Sequence, residues 1–315
     1  MLALGFAQAA QAGVTAPCTA LLISPDVGPA VSAGGQYCTD SYGASDTWFK
    51  PSVPNYQQNK DFLSGDDAAF LRWDNMPGTT AFLTPNLDAG RLVSSYATGS
   101  GWTVTAPLAG VGTDTTTSTI SLALGGGGSV DVAITTHINA DGSVVQHYDV
   151  TNNSSQDLNN LSFGDLFNFH PNGSTAAGSL LGTTVYQNGE IVTTGNPSDP
   201  GFLGNGRMFL TLNNNKVLPT AWDVIQYDRT NLNPPGLTAI NEVDCLVAAL
   251  PGACFNNASG PLTGDVAGLL AYNAGGLRPG GTLSFDIEKP LPEPTTLLLM
   301  LFGVPLLRRF SGPRP

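Results

Sequence analysis

Apolar and polar side chains alternate along the chain in short runs, each closed by a turn rich in Gly, Asn, Asp or Pro. Ser129–Ile138 and Val144–Thr151 show the pattern most clearly. A period of two places every second side chain on one face of a strand, so each run predicts a strand with one buried and one solvated face. The same reasoning predicts strands over Ala69–Trp73, Arg91–Tyr96, Trp102–Ala106, Thr117–Leu124, Asn160–Asn168, Thr183–Tyr186, Arg207–Leu212 and Thr282–Ile287. Gly125–Gly128 is a four-glycine turn, and Asn139-Ala140-Asp141-Gly142 between two alternating runs predicts a hairpin. Cys18–Ser64 is richer in Pro and Gly and reads as irregular. The one predicted helix, Glu242–Leu250, ends at Pro251-Gly252. No internal repeat is evident. Many short strands and few helices predict an all-β fold, an antiparallel β-sandwich with long loops.

Composition supports this and narrows the partners. Only 11% of the 315 residues are charged, against about a quarter in ordinary globular proteins. Polarity comes instead from Gly, Thr, Ser and Asn, which suit strands and tight turns better than long helices. The net charge of -12 repels polyanions, so nucleic acid is not an expected partner. Asp66-Asp67 is the one adjacent acidic pair, and no dense carboxylate loop offers a calcium site. The acidic balance therefore reads as solubility. No cofactor is implied.

The four cysteines fall into two local pairs, Cys18 with Cys38 and Cys245 with Cys254. An even count at short spacings fits two disulfides in an oxidising compartment. Four cysteines permit three pairings, of which the local one is preferred. Zinc is the rival reading, but the ligand pairs of a zinc site at CxxC-like spacing are absent.

The two ends point to export. Met1–Ala12 is apolar and then rich in small residues, and Ala10-Gln11-Ala12 fits a signal-peptide cleavage pattern. The positively charged start of a signal peptide is missing, so residues 1–12 read as a signal-peptide remnant. At the other end Pro292-Glu293-Pro294 precedes an apolar run from Leu297 to Leu307, and Arg308-Arg309 follows at once. Apolar side chains favour lipid and cations stay at the cytoplasmic face, as in a stop-transfer anchor. The run is short of the about 20 apolar residues of a full span.

That order, Pro-Glu-Pro, short apolar helix and arginine pair, resembles the PEP-CTERM sorting signal of Gram-negative bacteria that make exopolysaccharide. The resemblance covers about the last 25 residues; Pro305 and Phe310–Pro315 depart from the pattern. It implies an exosortase as processing partner, a transient inner-membrane intermediate, and delivery to the cell surface or the extracellular matrix. The chain then divides into residues 1–12, a β-sandwich domain at 13–288, and a sorting signal with an apolar helix at 289–315. A second, shorter resemblance lies at Tyr148-Asp149-Val150-Thr151-Asn152-Asn153-Ser154, which is similar to a strand of bacterial immunoglobulin-like modules.

Candidate chemistry in the domain is sparse. His137 and His147 lie on the two arms of the predicted hairpin, and whether they share a face depends on a glycine bulge at Gly142. A metal would need both on one face and a third ligand such as His170; the core-strand or surface reading is simpler, and no metal is expected. Asp165–Gly173 combines aromatics with Asn168, His170 and Asn172, groups that suit sugar binding, against the simpler reading of a core strand entering a turn. Glu242 with Asp244, and Asp223 with Asp228, are carboxylate pairs with no distinguishing neighbourhood. Gly-x-Ser-x-Gly is absent and Gly204-Asn205-Gly206 lacks a dinucleotide context. No catalytic constellation stands out. The expected role is that of an exported envelope or matrix protein, structural or interacting, associated with exopolysaccharide. The alternative is a secreted carbohydrate-binding module or carbohydrate-active enzyme on the same scaffold.

Overall fold

The computed structural model describes residues 20–23, 36–49, 63–74, 76–77, 81–84, 101–171, 182–196, 205–226, 255–264 and 266–290. Their strands, in chain order, are Ala20–Ile23 (β1), Gln36–Thr39 (β2), Ser45–Phe49 (β3), Leu63–Arg72 (β4), Thr103–Ala109 (β5), Thr115–Ala123 (β6), Ser129–Ile138 (β7), Val144–Asn152 (β8) and Leu158–Phe169 (β9). There follow Thr183–Gln187 (β10), Glu190–Thr194 (β11), Gly206–Leu212 (β12), Asn215–Lys216 (β13), Ala221–Gln226 (β14), Leu262–Thr263 (β15), Val266–Leu277 (β16) and Thr282–Lys289 (β17). The predicted strand Arg91–Tyr96, the helix Glu242–Leu250 and the whole tail from Leu291 onward lie outside the described residues.

The strands form two antiparallel sheets. One has seven strands in the order β1-β2-β3-β4-β9-β16-β14; the other has ten, running β15-β10-β11-β12-β17-β8-β7-β6-β5 with β13 beside β12. The all-β, antiparallel expectation is met. The β7–β8 hairpin pairs Ile138 with Val144, and Gly142 in its loop has φ +87°, where a glycine is the favoured residue. The Asp141 carboxylate accepts from the Ser143 backbone N–H at 2.9 Å and fixes the turn.

Facing sides of the two sheets share one apolar core. Trp48, Phe163, Phe167 and Phe169 enter it from the seven-stranded sheet; Ile134, Tyr148, Val150, Phe285 and Ile287 enter it from the ten-stranded one. Phe285 stacks on Phe163 (centroids 3.9 Å apart) and on Tyr148 (4.9 Å), so the rings bridge the layers. The Trp48 indole N–H donates to the Gly142 carbonyl at 2.9 Å, tying the β7–β8 turn to the opposite sheet.

The seven-stranded sheet is also covered on its outer side. Ala68, Phe70, Leu166, Ala267 and Leu269 form a second cluster there with Ala81 and Phe82. The ten-stranded sheet keeps its alternation: β8 is buried at every second residue, from Val144 to Asn152. The exposed edge strand β5 contains Pro107 and two register irregularities, which blunt an otherwise open edge.

The reading of Cys18–Ser64 as irregular is corrected, because β1, β2, β3 and the start of β4 fall within it. Each of the first three is only four or five residues long. A strand that short has two or three inward positions, too few to display a period. The strands β11, β14 and β16, and the two-residue β13 and β15, were not predicted either. β16 reads Val-Ala-Gly-Leu-Leu-Ala and is buried at all six of these positions, so both faces are apolar and no alternation appears.

Candidate functional site: a sealed lysine–carboxylate cluster

On β17 the inward side chains are Leu283, Phe285, Ile287 and then Lys289. The alternation of three apolar residues therefore ends by aiming an ammonium into the core, where Lys289 is 0% exposed. Neighbouring β8 does the same with Gln146, between Val144 and Tyr148. From the opposite sheet come Asp67 on β4, in phase with Ala69 and Leu71, and Asp165 on β9, between Phe163 and Phe167. Both aspartates are also 0% exposed. The β4–β9 register sets Asp67 against Phe167 and Ala69 against Asp165, so the carboxylates are diagonal neighbours on one face.

Lys289 Nζ lies 2.6 Å from Asp67 Oδ1 and 2.8 Å from Oδ2. It also donates to Gln146 Oε1 at 2.5 Å and stands 3.3 Å from Asp165 Oδ2. Gln146 is oriented by its own amide, which donates to the Gly43 carbonyl at 2.7 Å. Gly43 in turn sits in a turn built on Asp40, whose Oδ1 accepts from the Tyr42 and Ala44 backbone N–H groups at 2.8 and 2.9 Å. The Tyr37 hydroxyl donates to Asp67 Oδ2 at 2.8 Å. The Tyr37 ring meets Trp48 edge-on at 6.3 Å, and Trp48 in turn packs against Phe169 at 5.6 Å, which closes that side with aromatic carbon.

The charge count explains the protonation. Two carboxylates and one ammonium in a water-free core leave one negative charge uncompensated, at a cost of several kcal/mol. Burial pushes the Asp165 pKa well above the usual carboxylate range; the Lys289 charge opposes this, and the neighbouring Asp67 carboxylate adds to it. Asp165 is thus the neutral member. Its Oδ2 stands 3.3 Å from Lys289 Nζ, and Lys289 and Asp67 together set its charge. Burial likewise raises Tyr148, whose hydroxyl lies where a Cβ on Gly43 would be 2.8 Å away.

The sequence-predicted residues sit elsewhere. Asn168 and His170 are both buried, at 0% and 3% exposure; Asn172 lies outside the described residues. The hairpin register pairs Thr135 with His147, the bulged alternative, which puts His137 and His147 on one face. They do not meet. His137 Nδ1 bonds Thr115 Oγ1 at 2.8 Å, while His147 Nδ1 is 2.5 Å from Asp286 Oδ1. Partial burial disfavours the charged imidazole of His147, but Asp286 and then Asp149 outweigh it and the net shift is upward. Among the described residues no group of three or more His, Cys, Asp or Glu is placed to hold a metal ion. Asp223 accepts backbone N–H groups from Val224, Asn256 and Ala258, which makes it a loop-holding residue. Its suggested companion Asp228, and Glu242 with Asp244, lie outside the described residues. Cys38 is disulfide-bonded; the other three cysteines, Cys18, Cys245 and Cys254, lie outside the described residues.

Asp67, read from sequence as part of a solvated acidic pair, is instead the centre of the cluster. The signal was phase: Lys289 continues the inward series of Leu283, Phe285 and Ile287, and Asp165 interrupts the series from Phe163 to Phe167. No family model and no curated protein matches the chain. Among solved structures, it is similar to the 4-alpha-glucanotransferase of Thermococcus litoralis at 9% identity and a TM-score of 0.36, over 81% of this chain and 35% of that one.

Proposed function

We propose that this is an exported cell-envelope or matrix protein of a Gram-negative bacterium, sorted by its C-terminal Pro-Glu-Pro signal. Its β-domain serves as a stiff structural or interaction module associated with exopolysaccharide. The observation that carries the reading is where the tail leaves the domain. Lys289, the last residue of β17, is held in the core by Asp67 and Gln146 only three positions before Pro292. A chain tethered through its C-terminus is loaded at that point. The disulfide at Cys38 agrees with an oxidising compartment, and the local pairs Cys18–Cys38 and Cys245–Cys254 complete the proposal.

In this reading Leu297–Leu307 holds the chain transiently at the inner membrane, Arg308 and Arg309 stay on the cytoplasmic side, and exosortase acts near Pro292-Glu293-Pro294. Replacing both arginines with Glu is expected to weaken retention and mis-sort the protein. Replacing Pro292, Glu293 and Pro294 with Ala is expected to leave insertion intact and block processing. Cell fractionation and the mass of the exported form read both outcomes. Exported protein that retains Leu297–Leu307, with both variants fractionating as wild type, overturns the proposal.

One observation favours saccharide binding as a second reading. Tyr186 and Trp222 stack at 4.3 Å with a 13° interplanar angle, and both are half-exposed. Trp222 Nε1 donates to Ser259 Oγ at 3.1 Å, which fixes the indole. An aromatic platform beside hydroxyl and amide groups suits a sugar ring. Trp222→Ala is expected to lower retention of the protein in a polysaccharide-containing native gel at least about tenfold, the loss of one good stacking contact. Unchanged migration leaves the purely structural role.

A further inference from the structure

We infer that Lys289 and Asp67 join in an amide, an intramolecular isopeptide bond that links the two sheets covalently, with Asp165 as the catalytic acid. Lys289 Nζ lies 2.6 and 2.8 Å from the two Asp67 oxygens, which holds the amine beside the carboxyl group whose Cγ it would attack. Asp165 is farther from the amine, at 3.3 Å, and is the better proton carrier because it is the neutral carboxyl. The other neighbours are also placed for the reaction. Tyr37 O–H donates to Asp67 Oδ2 and draws electron density from its Cγ. Gln146 Oε1 accepts a hydrogen bond from Nζ and holds the nitrogen beside Asp67. The site is closed to solvent, with Lys289, Asp67 and Asp165 all at 0% exposure, so bulk water does not compete for the acyl carbon.

The chemistry balances without a co-reactant. In the desolvated core, transfer of a proton from the Lys289 ammonium to the Asp67 carboxylate gives a neutral amine and a neutral acid, removing two opposite charges from a low-dielectric medium. The amine lone pair attacks Asp67 Cγ and forms the N–C bond. Asp165 gives its proton to the oxygen that becomes negative and takes one back from nitrogen. The C–O bond then breaks, that oxygen leaves as water with a proton returned through Asp165, and Asp165 is again neutral. The sum is one amine plus one carboxylic acid giving one amide plus one water. Folding supplies the proximity that makes the step effectively unimolecular.

This is more than a buried salt bridge. An ion pair alone explains Lys289 and Asp67, but not a second, equally buried carboxyl 3.3 Å from the same ammonium. A carboxyl so buried is costly as structure and useful as a proton carrier. The position also has a mechanical sense. The bond joins residues separated by 222 positions, from β4 in one sheet to the end of β17 in the other. Pulling on the C-terminus would then load a covalent link rather than peel β17 from its neighbours.

The test is mass spectrometry of the full chain, purified from the host, unfolded, reduced and digested. The segments that contain Asp67 and Lys289 should emerge as one branched peptide, lighter than the sum of the two by one water. Two separate peptides with a free Lys289 ε-amine, in protein shown to be folded by circular dichroism, overturn the proposal. A branch at Asp165 overturns the assignment of Asp67. Asp165→Asn should fold and remain unlinked, and a linked Asp165→Asn removes the role given to Asp165. Asp67→Asn keeps the size of the side chain and should still link, now lighter by one ammonia; an unlinked, folded Asp67→Asn counts against the mechanism. Sorting plays no part in these readouts, so they stand or fall apart from the function of the tail.

Discussion

Lys289→Met is expected to cost the folded protein at least about 3 kcal/mol, the penalty for leaving a buried carboxylate without its cation. The residue is 0% exposed and both oxygens of Asp67 turn toward it. Met matches the length of the stem but donates nothing, so Asp67 retains the Tyr37 hydroxyl and loses its charge partner. Loss of the covalent link adds to this. On the chain-entropy account, tying residues 222 apart restricts the unfolded chain by about 5 kcal/mol. Urea unfolding of both proteins reads the difference as a lower midpoint, with a steeper slope for the unlinked variant because its unfolded chain exposes more surface.

The variant also carries a pH signature whose sign follows from Asp165. Its folded pKa is raised, so the folded state keeps a proton that the unfolded chain releases above about pH 4. Stability contributed by such a group is present below the unfolded pKa and falls as pH rises toward the folded one. Asp67 pushes Asp165 upward, and in the variant Asp67 stays a carboxylate with no Lys289 charge to oppose it. The folded pKa therefore rises further and the window of decline extends to higher pH. Lys289→Met should therefore regain part of its lost stability between about pH 7 and pH 4. Equal midpoints for the two proteins at every pH would falsify the assignment of Lys289 as the partner of Asp67 in this core.

How much of this was readable in the sequence depends on which sheet is considered. The ten-stranded sheet keeps a half-exposed outer face, so β7 and β8 alternate cleanly and their runs and hairpin were readable from side-chain order alone. The seven-stranded sheet is covered on both faces, by the shared core and by the cluster around Phe70 and Leu269. Its strands β9 and β16 hold long stretches of consecutive buried residues, which carry no period. Most of β9 was still read as the strand Asn160–Asn168; β16, rich in Gly and Ala, was not found.

The cluster was hidden for a related reason. A charged residue is ordinarily taken as exposed, and Asp66-Asp67 was read that way. What places Asp67 inside is its phase with Ala69 and Leu71, and that phase becomes visible only once β4 is known to pair with β9. Lys289 was more accessible to inspection, because the series Leu283, Phe285 and Ile287 points to it directly. Its partners are 143 and 222 positions away, and local spacing carries no record of contacts at that distance. By contrast, Asn168 and His170 drew notice for their chemistry, and burial has removed both from solvent.

The same crowding that hides β16 makes Gly164 the most demanding backbone position in the seven-stranded sheet. Gly164 lies on β9 between Phe70 of β4 and Ala271 of β16. A Cβ there would stand 2.0 Å from the Leu270 carbonyl oxygen and 2.3 Å from Phe70 Cζ. The first of these is backbone in a paired strand and has nowhere to move. The second is a ring held at 6.0 Å from both Phe82 and Phe255, so it cannot swing aside without opening the outer cluster. Gly164→Ala is therefore expected to cost about 3 kcal/mol, the upper end of the range for overpacked cores. Gly276 on β16 supplies the control, because a Cβ there meets nothing closer than 3.6 Å. Gly276→Ala should stay within about 1 kcal/mol of wild type, with any gain coming from a stiffer unfolded chain. Urea midpoints separate the two substitutions. The chemistry should feel Gly164→Ala as well, since Asp165 is the next residue and shares the displaced strand. A smaller linked fraction of Lys289 in the protein that still folds is the expected companion result. If Gly164→Ala matches Gly276→Ala in stability, the close approach of β9, β4 and β16 is not what holds this face together.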